Sequence, residues 1–331
     1  MTRTLSAEIA RFPLSTPFRI SRGVKTVAEV VEVEVAQDGA VGRGEGMPYA
    51  RYGESLDGAL AEIAAVRDAI AAGAGRDDVL TLMRPGAARN AVDCALWDLE
   101  ATLSGKSVSA LIGDPPVGAV ATAMTVGLDT PEAMGAAAAA YADYPLVKIK
   151  VDRNDPLAQI RAVRAAAPRP RIIVDPNESW TIAEVRDLQS ALIDLRIDLL
   201  EQPLPSEDDG ALAGFTSAIP IAADESAHVA GDIDALADRY QVVNIKLDKT
   251  GGLTAALTLA DAAVARGLGL MTGCMVSSSL SIAPAMIVAA RSGFVDLDGP
   301  LWLANDRPGG VRAERGMMRP PSPGFWGGLS A

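Results

Sequence analysis

The sequence of 331 residues predicts an α/β protein in which a parallel barrel of eight strands follows a smaller α+β module. Two observations support this prediction. From about residue 116 onward, runs rich in β-branched residues recur every 22 to 26 residues, and alanine-rich stretches with helical periodicity separate them. Eight strand and crossover-helix units in succession are typical of a closed parallel barrel. The first third of the chain lacks this rhythm, which indicates a separate module.

That first module combines strand and helix patterns. Glu29–Ala36 alternates charged and apolar residues, which predicts an antiparallel strand with one face in water. Gly42–Tyr52 is rich in glycine and aromatic residues and is predicted to be a loop. Leu56–Ala72 and Ala87–Leu103 have helical periodicity. A Gly-Asp-Pro-Pro segment then ends the module, so we expect an α+β domain over residues 1–115.

The barrel is predicted to span residues 116–300, and the proline- and glycine-rich segment 301–331 is expected to run back over the first module. An open doubly wound sheet is the alternative, but eight evenly spaced units favour closure. No glycine-rich dinucleotide fingerprint follows any of the strands. The predicted strands end near Val126, Val151, Val174, Leu200, Ala223, Ile245, Met271 and Val295. The predicted helices include Asp155–Ala167, Ile182–Leu192, Ile233–Arg239 and Ala255–Arg266.

The composition excludes several kinds of function. The chain has 30 Lys and Arg residues against 42 Asp and Glu residues, and this net charge of −12 argues against a general binder of nucleic acid or membrane surfaces. A single histidine, His228, rules out a metal site built from a pair of histidines, and two distant cysteines do not make a disulfide framework or a zinc finger. The chemistry is therefore expected to use carboxylates, lysines and a hard metal ion.

The sequence also bears on location. The N-terminal residues carry charges at Arg3, Glu8 and Arg11 and contain no long apolar core, unlike a secretory signal. The longest apolar stretch, around Ile282–Ala290, is too short to span a bilayer. We therefore expect a cytoplasmic protein that binds neither nucleic acid nor membranes.

Three successive predicted strands end in carboxylates, namely Asp175, Glu201 and Asp224. Active sites of parallel barrels lie at the carboxyl ends of the strands, so these side chains should converge on one point. Three unpaired carboxylates would repel one another and raise their pKa values, which a divalent cation with oxygen ligands would prevent. A single aspartate at a strand end would more often cap a helix, but three in succession favour a Mg²⁺ site.

Lysines flank this trio on both sides. Lys148 and Lys150 precede it, two residues apart on one strand and so on the same side, and Lys246 follows it. A closed barrel places Lys246 across the mouth from the other two, where two bases could remove a proton from one face of a substrate and return it to the other. A lysine base needs a pKa lowered from about 10.4 toward ~7–8, and Mg²⁺ or a neighbouring ammonium would lower it. Simple pairing of these lysines with the carboxylates stays open, chiefly for Lys148.

The order Lys-x-Lys, Asp, Glu, Asp, Lys over successive strands resembles the enolase superfamily, in its muconate-lactonizing-enzyme subgroup. Ala91–Leu99, Asp224–Ser226 and Lys246–Gly252 also resemble segments of that subgroup. The resemblance implies a (β/α)7β TIM-like barrel beneath an N-terminal α+β capping domain. It implies removal of a proton next to a carboxylate, with Mg²⁺ stabilising the resulting charge. The implied roles are Mg²⁺ binding by Asp175, Glu201 and Asp224, and acid/base catalysis by Lys150 and Lys246.

Residues outside this set favour one branch of the subgroup. Asp296 and Asp298 lie at the last strand end and should face one way by strand alternation, so they could hold a substrate ammonium group. This Asp-x-Asp segment resembles dipeptide epimerases, as does Thr272–Met275. Phe12–Gly23 resembles L-Ala-D/L-Glu epimerases. The resemblance implies that Arg22, helped by Lys25, meets the side-chain carboxylate of a glutamate, although a solvated loop charge is the alternative. Further candidates for lining the substrate site are Thr125, Lys148 and Cys274, with a plain buried thiol as the alternative for Cys274.

Together these features predict a Mg²⁺-dependent dipeptide epimerase, an isomerase of L-Ala-D/L-Glu type, that uses two-lysine 1,1-proton transfer at the α-carbon of the C-terminal residue. Branches of the superfamily that use a histidine base on a later strand are disfavoured, since no histidine follows His228, which we expect to be structural. The alternatives are an epimerase of another dipeptide, a cycloisomerase or o-succinylbenzoate synthase-type lyase, and a non-catalytic metal- or ligand-binding barrel. The resemblance implies a role in cell-wall peptide recycling, and a homo-oligomer stays open.

Overall fold

The computed structural model describes residues 3–20 and 23–328. It begins with an antiparallel sheet of three strands in the order β1 (Thr4–Ile20), β2 (Gly23–Gln37) and β3 (Ala40–Gly46). The predicted strand Glu29–Ala36 lies inside β2, where valines are buried and alternate with glutamates that are exposed or half-buried. The helices that follow this sheet are α1 (Leu56–Ala65), α2 (Arg67–Ala71), α3 (Arg76–Leu82), α4 (Ala87–Ser104) and α5 (Val108–Ile112).

The prediction of a loop over Gly42–Tyr52 is wrong for its first half, because β3 extends to Gly46 and is followed by a short 3-10 helix at Ala50–Tyr52. The glycines of β3 have a packing role. A Cβ atom on Gly42, Gly44 or Gly46 would lie 2.1, 2.0 or 2.0 Å from a backbone carbonyl oxygen of α4. The helix therefore packs directly on the strand backbone, and no larger residue fits at these three positions.

A short strand, β4 (Val120–Ala121), leads into an eight-stranded parallel sheet whose neighbours follow chain order. The backbone amide of Ala123, just before the first strand of this sheet, donates to the carbonyl of Val295 in the last at 2.8 Å, which brings the two edges together. The predicted barrel is thus confirmed. Its strands are β5 (Met124–Val126), β6 (Leu146–Lys150), β7 (Arg171–Asp175), β8 (Leu199–Glu201), β9 (Ile221–Ala223), β10 (Val242–Ile245), β11 (Gly269–Gly273) and β12 (Phe294–Asp296).

Helices connect most of these strands. The predicted helix over Ile233–Arg239 is shorter in the structure, and the connection from β8 to β9 holds a 3-10 helix at Asp209–Leu212 in place of an α-helix. No helix in the described part of the chain is long and apolar enough to cross a membrane. The barrel helices are α6 (Pro131–Ala139), α7 (Pro156–Ala166), α8 (Ile182–Asp194), α9 (Ile233–Leu236), α10 (Leu247–Thr250), α11 (Leu253–Ala265) and α12 (Ser279–Ala289).

The C-terminal segment contacts both parts of the protein. Its strands β13 (Arg312–Glu314) and β14 (Met317–Arg319) form a small antiparallel sheet with β4. Beyond them, the indole of Trp326 donates to the carbonyl of Arg43 at 3.0 Å and the amide of Gly327 donates to Asp98 at 2.6 Å. The segment therefore links the barrel to the N-terminal sheet and to α4.

A buried polar contact also joins the N-terminal domain to the rim of the barrel. The carboxylate of Asp248 in α10 accepts hydrogen bonds from the amide of Met47 at 2.9 Å and from the side chain of Asn90 at 2.8 Å. Burial, partly offset by these donors, raises the pKa of Asp248 to about 7. Because α10 directly follows β10, this contact holds the segment after β3 over the carboxyl ends of the strands.

Candidate active site

Three neighbouring strands bring the predicted carboxylates together at the barrel mouth. Asp175 ends β7, Glu201 ends β8 and Asp224 directly follows β9, and these side chains are 0%, 0% and 1% exposed. Among the described residues, no three His, Cys, Asp or Glu side chains stand close enough to share an ion as they are placed. The ammonium of Lys148 lies within this group, 2.9 Å from Asp175 and 2.8 Å from Glu201.

The two other predicted lysines are each paired with one carboxylate. Lys150 Nζ lies 2.5 Å from Asp175 Oδ2, and Lys246 Nζ lies 2.6 Å from Asp224 Oδ2. Lys150 is in β6 and Lys246 directly follows β10, four strands away in the barrel of eight. Both lysines line the same cavity from opposite sides. A molecule bound between them would present one face to each ammonium group.

The charges of this cluster control its titration. Burial raises the pKa of Asp175, but Lys148 and Lys150 outweigh burial and hold the pKa at about 2. Burial, and then the neighbouring Asp175, raise the pKa of Glu201 to about 8. Burial lowers the pKa of Lys246, but Asp224 outweighs it, so the net pKa is above its ordinary value. The lowered lysine pKa expected from the sequence is therefore not found for Lys246 while Asp224 is its direct partner.

The residues around Glu201 fit a hard cation. Within the described part of the chain, Glu201 Oε2 and Asn244 Oδ1 are buried oxygens that accept no directed hydrogen bond, although Glu201 Oε2 lies close to Lys148. The other oxygen of Glu201 accepts from Asn244 Nδ2 at 2.9 Å, which orients the carboxylate. Carboxylate and amide oxygens such as these are the donors that Mg²⁺ prefers.

The last barrel strand supplies two further acids. Asp296 ends β12 and its Oδ2 lies 2.9 Å from Lys148 Nζ. Asp298 lies beyond the strand, so strand alternation does not orient it, and its Oδ2 accepts a hydrogen bond from the amide of Thr125 at 2.9 Å. Burial, and then Asp296, raise the pKa of Asp298 to about 6. Both acids line the cavity with Thr125 and Cys274, so the structure brings all four residues into one site.

The N-terminal domain closes the cavity from above. Arg22, predicted to contact substrate, lies outside the described residues. Lys25 lines the cavity, with its Nζ 5.1 Å from the centroid of the Tyr49 ring, and burial lowers its pKa. Tyr52 also lines the cavity and packs edge-on against His228, with ring centroids 4.9 Å apart. The imidazole of His228 is also within 2.9 Å of the carbonyl of Glu225, so its contacts are with neighbouring protein groups.

Sequence reasoning missed several residues that line this cavity. Met47, Tyr49 and Tyr52 come from the segment predicted to be a loop, and its aromatic content was the available signal for them. Phe18, from the β1–β2 hairpin, packs edge-on against Trp302 with ring centroids 4.7 Å apart. The remaining missed residues are Asn177, Glu225, Met275, Val276 and Gly299.

Two family models together match nearly the whole chain. The N-terminal domain of the mandelate racemase / muconate lactonizing enzyme family matches residues 4–113. The enolase C-terminal domain-like family matches residues 132–325, which contain every predicted metal ligand and both predicted catalytic lysines.

The chain is also similar to individual proteins of that family. It is 44% identical over 306 residues to an L-Ala-D/L-Glu epimerase of Escherichia coli strain K12, covering 92% of this chain and 95% of that protein. It is 42% identical to an N-acetyl-D-glutamate racemase of Pseudoalteromonas sp., over 90% of this chain and 95% of that protein.

Solved structures agree with these relatives. An enolase family member from Agrobacterium tumefaciens with homology to dipeptide epimerases has a TM-score of 0.95 and 46% identity, covering 98% of this chain and 100% of that one. That structure holds sodium and L-Ala-L-Glu. Three dipeptide epimerases, 27% to 30% identical to this chain, were solved with Mg and a dipeptide. The chain therefore belongs to the mandelate racemase and muconate lactonizing enzyme family of the enolase superfamily, as its strand-end residues predicted.

Proposed function

We propose that this protein is a dipeptide epimerase that interconverts L-Ala-L-Glu and L-Ala-D-Glu. The observation that carries the proposal is the placement of Lys150 and Lys246 on opposite sides of one cavity, beside three buried carboxylates. The relatives at 44% and 42% identity are named an epimerase and a racemase, and both of these are isomerases. A relative at 46% identity binds L-Ala-L-Glu, which supports this substrate class.

The proposed mechanism assigns the proton transfers to the two lysines. One of Lys150 and Lys246 removes the α-proton of the C-terminal residue, and the other returns a proton to the opposite face. Asp175, Glu201 and Asp224 would hold a Mg²⁺ ion, which would bind the substrate carboxylate and stabilise the negative charge that develops on it. The segment of the N-terminal domain that carries Met47, Tyr49 and Tyr52 covers the cavity and excludes water.

The acids of β12 and the segment after it are proposed to bind the substrate ammonium group. Asp296 Oδ1 is buried and accepts no hydrogen bond from a described residue, and Asp298 lies beside it in the cavity. We therefore expect Asp298→Asn to raise the Kd for the dipeptide more than the Kd for Mg²⁺, because the charge removed lies beside the ammonium and not beside the cation. Asp296→Asn should likewise raise the Kd for the dipeptide more than the Kd for Mg²⁺, and it should also weaken the contact between residue 296 and Lys148. Calorimetric titration of each variant with both ligands measures the two constants, and a larger loss of Mg²⁺ binding would contradict the ammonium role.

Lys25 is proposed to recognise the side-chain carboxylate of the glutamate. It is the described cation that reaches the cavity from the N-terminal domain. We expect Lys25→Met to raise KM for L-Ala-L-Glu by about tenfold or more, since a charge-assisted hydrogen bond is lost, and to leave KM for L-Ala-L-Met nearly unchanged. Lys25→Arg keeps the positive charge, so this variant should keep most of the preference for L-Ala-L-Glu over L-Ala-L-Met. Equal effects of Lys25→Met on both dipeptides would mean that Lys25 does not recognise the carboxylate.

Incubation of the protein with L-Ala-L-Glu and Mg²⁺ in D₂O tests the proposed function. We expect the D-Glu epimer to form with deuterium at the glutamate α-carbon. N-acetyl-D-glutamate is the comparison substrate, because it lacks the ammonium group and a relative at 42% identity is named for it. Turnover of that compound without turnover of any dipeptide would overturn the proposal, and so would the absence of exchange with every dipeptide tested. The cytoplasmic location, expected from the sequence, and the role in cell-wall peptide recycling, implied by the resemblance, remain predictions.

A further inference from the structure

Gln202 has an unusual position at the barrel mouth. It directly follows Glu201 at the end of β8, its side chain has no exposed surface, and its φ of 33° is in the left-handed region. A residue other than glycine adopts such a backbone conformation only where its surroundings impose it, often at a functional site. A buried glutamine must also satisfy its amide oxygen and its amide nitrogen within the protein.

The backbone of Gln202 joins three strand ends. Its carbonyl accepts a hydrogen bond from the amide of Glu178, in the segment after β7, at 2.9 Å. Its own amide donates to the carbonyl of Ala222 in β9, also at 2.9 Å. One residue therefore ties the segment that follows Asp175, and the strand that precedes Asp224, to the strand that ends at Glu201.

The side chain of Gln202 reinforces the same link. Its Oε1 accepts hydrogen bonds from the amides of Asp224 at 2.8 Å and Ser226 at 3.2 Å. A single side chain, on the residue that directly follows Glu201, is therefore bonded to the backbone of Asp224. This link constrains the distance between Glu201 and Asp224. Gln202 acts on these carboxylates through their backbone and touches neither carboxylate group directly in the contacts described.

A buried network determines which way the amide of Gln202 points. Its Nε2 lies 2.9 Å from the hydroxyls of Ser226 and Tyr240 and 2.9 Å from the carbonyl of Leu204. Both hydroxyls donate to Asp209, at 2.6 and 2.9 Å, so each can only accept from Gln202. Because only the amide nitrogen can donate to these three oxygens, Oε1 must face the amide of Asp224.

A cation opposes the charge on Asp209 at the far end of the network. Arg239 Nη1 lies 2.6 Å from Asp209 Oδ1. A guanidinium can only donate, so Asp209 Oδ1 accepts from Arg239 while Oδ2 accepts from the two hydroxyls. The donor and the acceptor of each hydrogen bond between Arg239 and the amide of Asp224 are thus determined.

We propose that Gln202 is a positioning residue that sets the spacing of Asp175, Glu201 and Asp224 and thereby the affinity of the site for a divalent cation. The inference rests on the proposed function in one respect, namely that these three carboxylates hold the cation. Residues that orient metal ligands without binding the metal typically change its affinity by about 10- to 100-fold when they are replaced.

The test is the Kd for MgCl₂ alone, measured by isothermal titration calorimetry on the full chain. Gln202→Met keeps the length of the side chain and removes every hydrogen bond of the amide group, and we expect it to raise the Kd by about 10- to 100-fold. Gln189→Met is the matched control, because Gln189 in α8 also accepts two hydrogen bonds, from Ser217 at 3.0 Å and Ala218 at 2.8 Å, but is remote from the strand ends. The control should leave the Kd unchanged.

Tyr240→Phe is the second variant, since Gln202→Met could fail to fold. It removes one acceptor from the amide nitrogen and keeps the aromatic ring, so we expect the Kd to rise by a few-fold with cooperative thermal unfolding retained. An unchanged Kd in a folded Gln202→Met protein, or an unchanged Kd in Tyr240→Phe if Gln202→Met does not fold, would overturn the inference. The titration needs no turnover, so a wild-type protein that binds Mg²⁺ but epimerises no dipeptide would overturn the proposed function alone.

Discussion

Replacing either Lys150 or Lys246 with alanine is expected to abolish epimerisation, with a fall in kcat of about 10²- to 10⁴-fold, the usual contribution of a general acid or base. Each lysine approaches the substrate from its own side of the barrel, so neither can do the work of the other. The loss should therefore be similar in size for the two variants and for the two directions of the reaction.

Isotope exchange separates the roles of the two lysines. The variant that lacks one lysine keeps the base on the other face, so it should still exchange the α-proton of one epimer with D₂O. The two variants should retain exchange for opposite epimers, which proton NMR of the glutamate α-position measures directly. Lys106→Ala is the control, because Lys106 is exposed and outside the site. Inversion by either active-site variant at the wild-type rate would remove that lysine from the mechanism.

Removal of divalent cations is expected to lower the rate of epimerisation about as much as the loss of either lysine. Chelation with EDTA should reduce epimerisation to background and added Mg²⁺ should restore it, because the charge that develops on the substrate carboxylate would otherwise be unstabilised. Mg²⁺ should also stabilise the fold, raising the free energy of unfolding by about 2.7 kcal/mol at a concentration 100 times its Kd. Thermal unfolding with and without Mg²⁺ measures this second effect independently of turnover.

Glu201→Gln tests most directly whether the three carboxylates bind the cation. It keeps the shape of the side chain and an oxygen for the hydrogen bond from Asn244 but removes the negative charge. We expect the Kd for Mg²⁺ to rise by about 100-fold or more, beyond the range of a residue that only orients a ligand. Asp238→Asn, on an exposed residue, controls for the loss of one acid. Full activity in EDTA, or an unchanged Kd in Glu201→Gln, would exclude these carboxylates as the cation site.

Much of the barrel could be predicted because its signals are local. A run such as Leu146–Lys150 contains the β-branched core of a strand and the lysines at its end, and strand alternation places both lysines on one side. The carboxylates Asp175 and Glu201 end their strands as predicted, and Asp224 directly follows its strand. Parallel pairing then brings residues together that are some 25 residues apart in the chain.

Other features depended on contacts that no local pattern reveals. Glycines 42, 44 and 46 suggested a loop, since glycine is common in turns, but the close approach of α4 requires them in a strand. The prediction for Asp298 relied on strand alternation, yet β12 ends at Asp296 and a hydrogen bond with the amide of Thr125 holds Asp298 instead. The direct pairing of Lys246 with Asp224 raised a pKa that sequence reasoning expected to be lowered.

The sequence by itself determined the kinds of chemical group at the barrel mouth and their order around it, because strand period, side-chain identity and chain order are local properties. The tertiary structure alone decided which ammonium pairs with which carboxylate, how the N-terminal domain covers the cavity, and how Gln202 connects three strand ends. These features depend on contacts between residues that are far apart in the chain. Such contacts depend on distances of a few ångströms, which packing and hydrogen bonding settle only when all the elements are assembled.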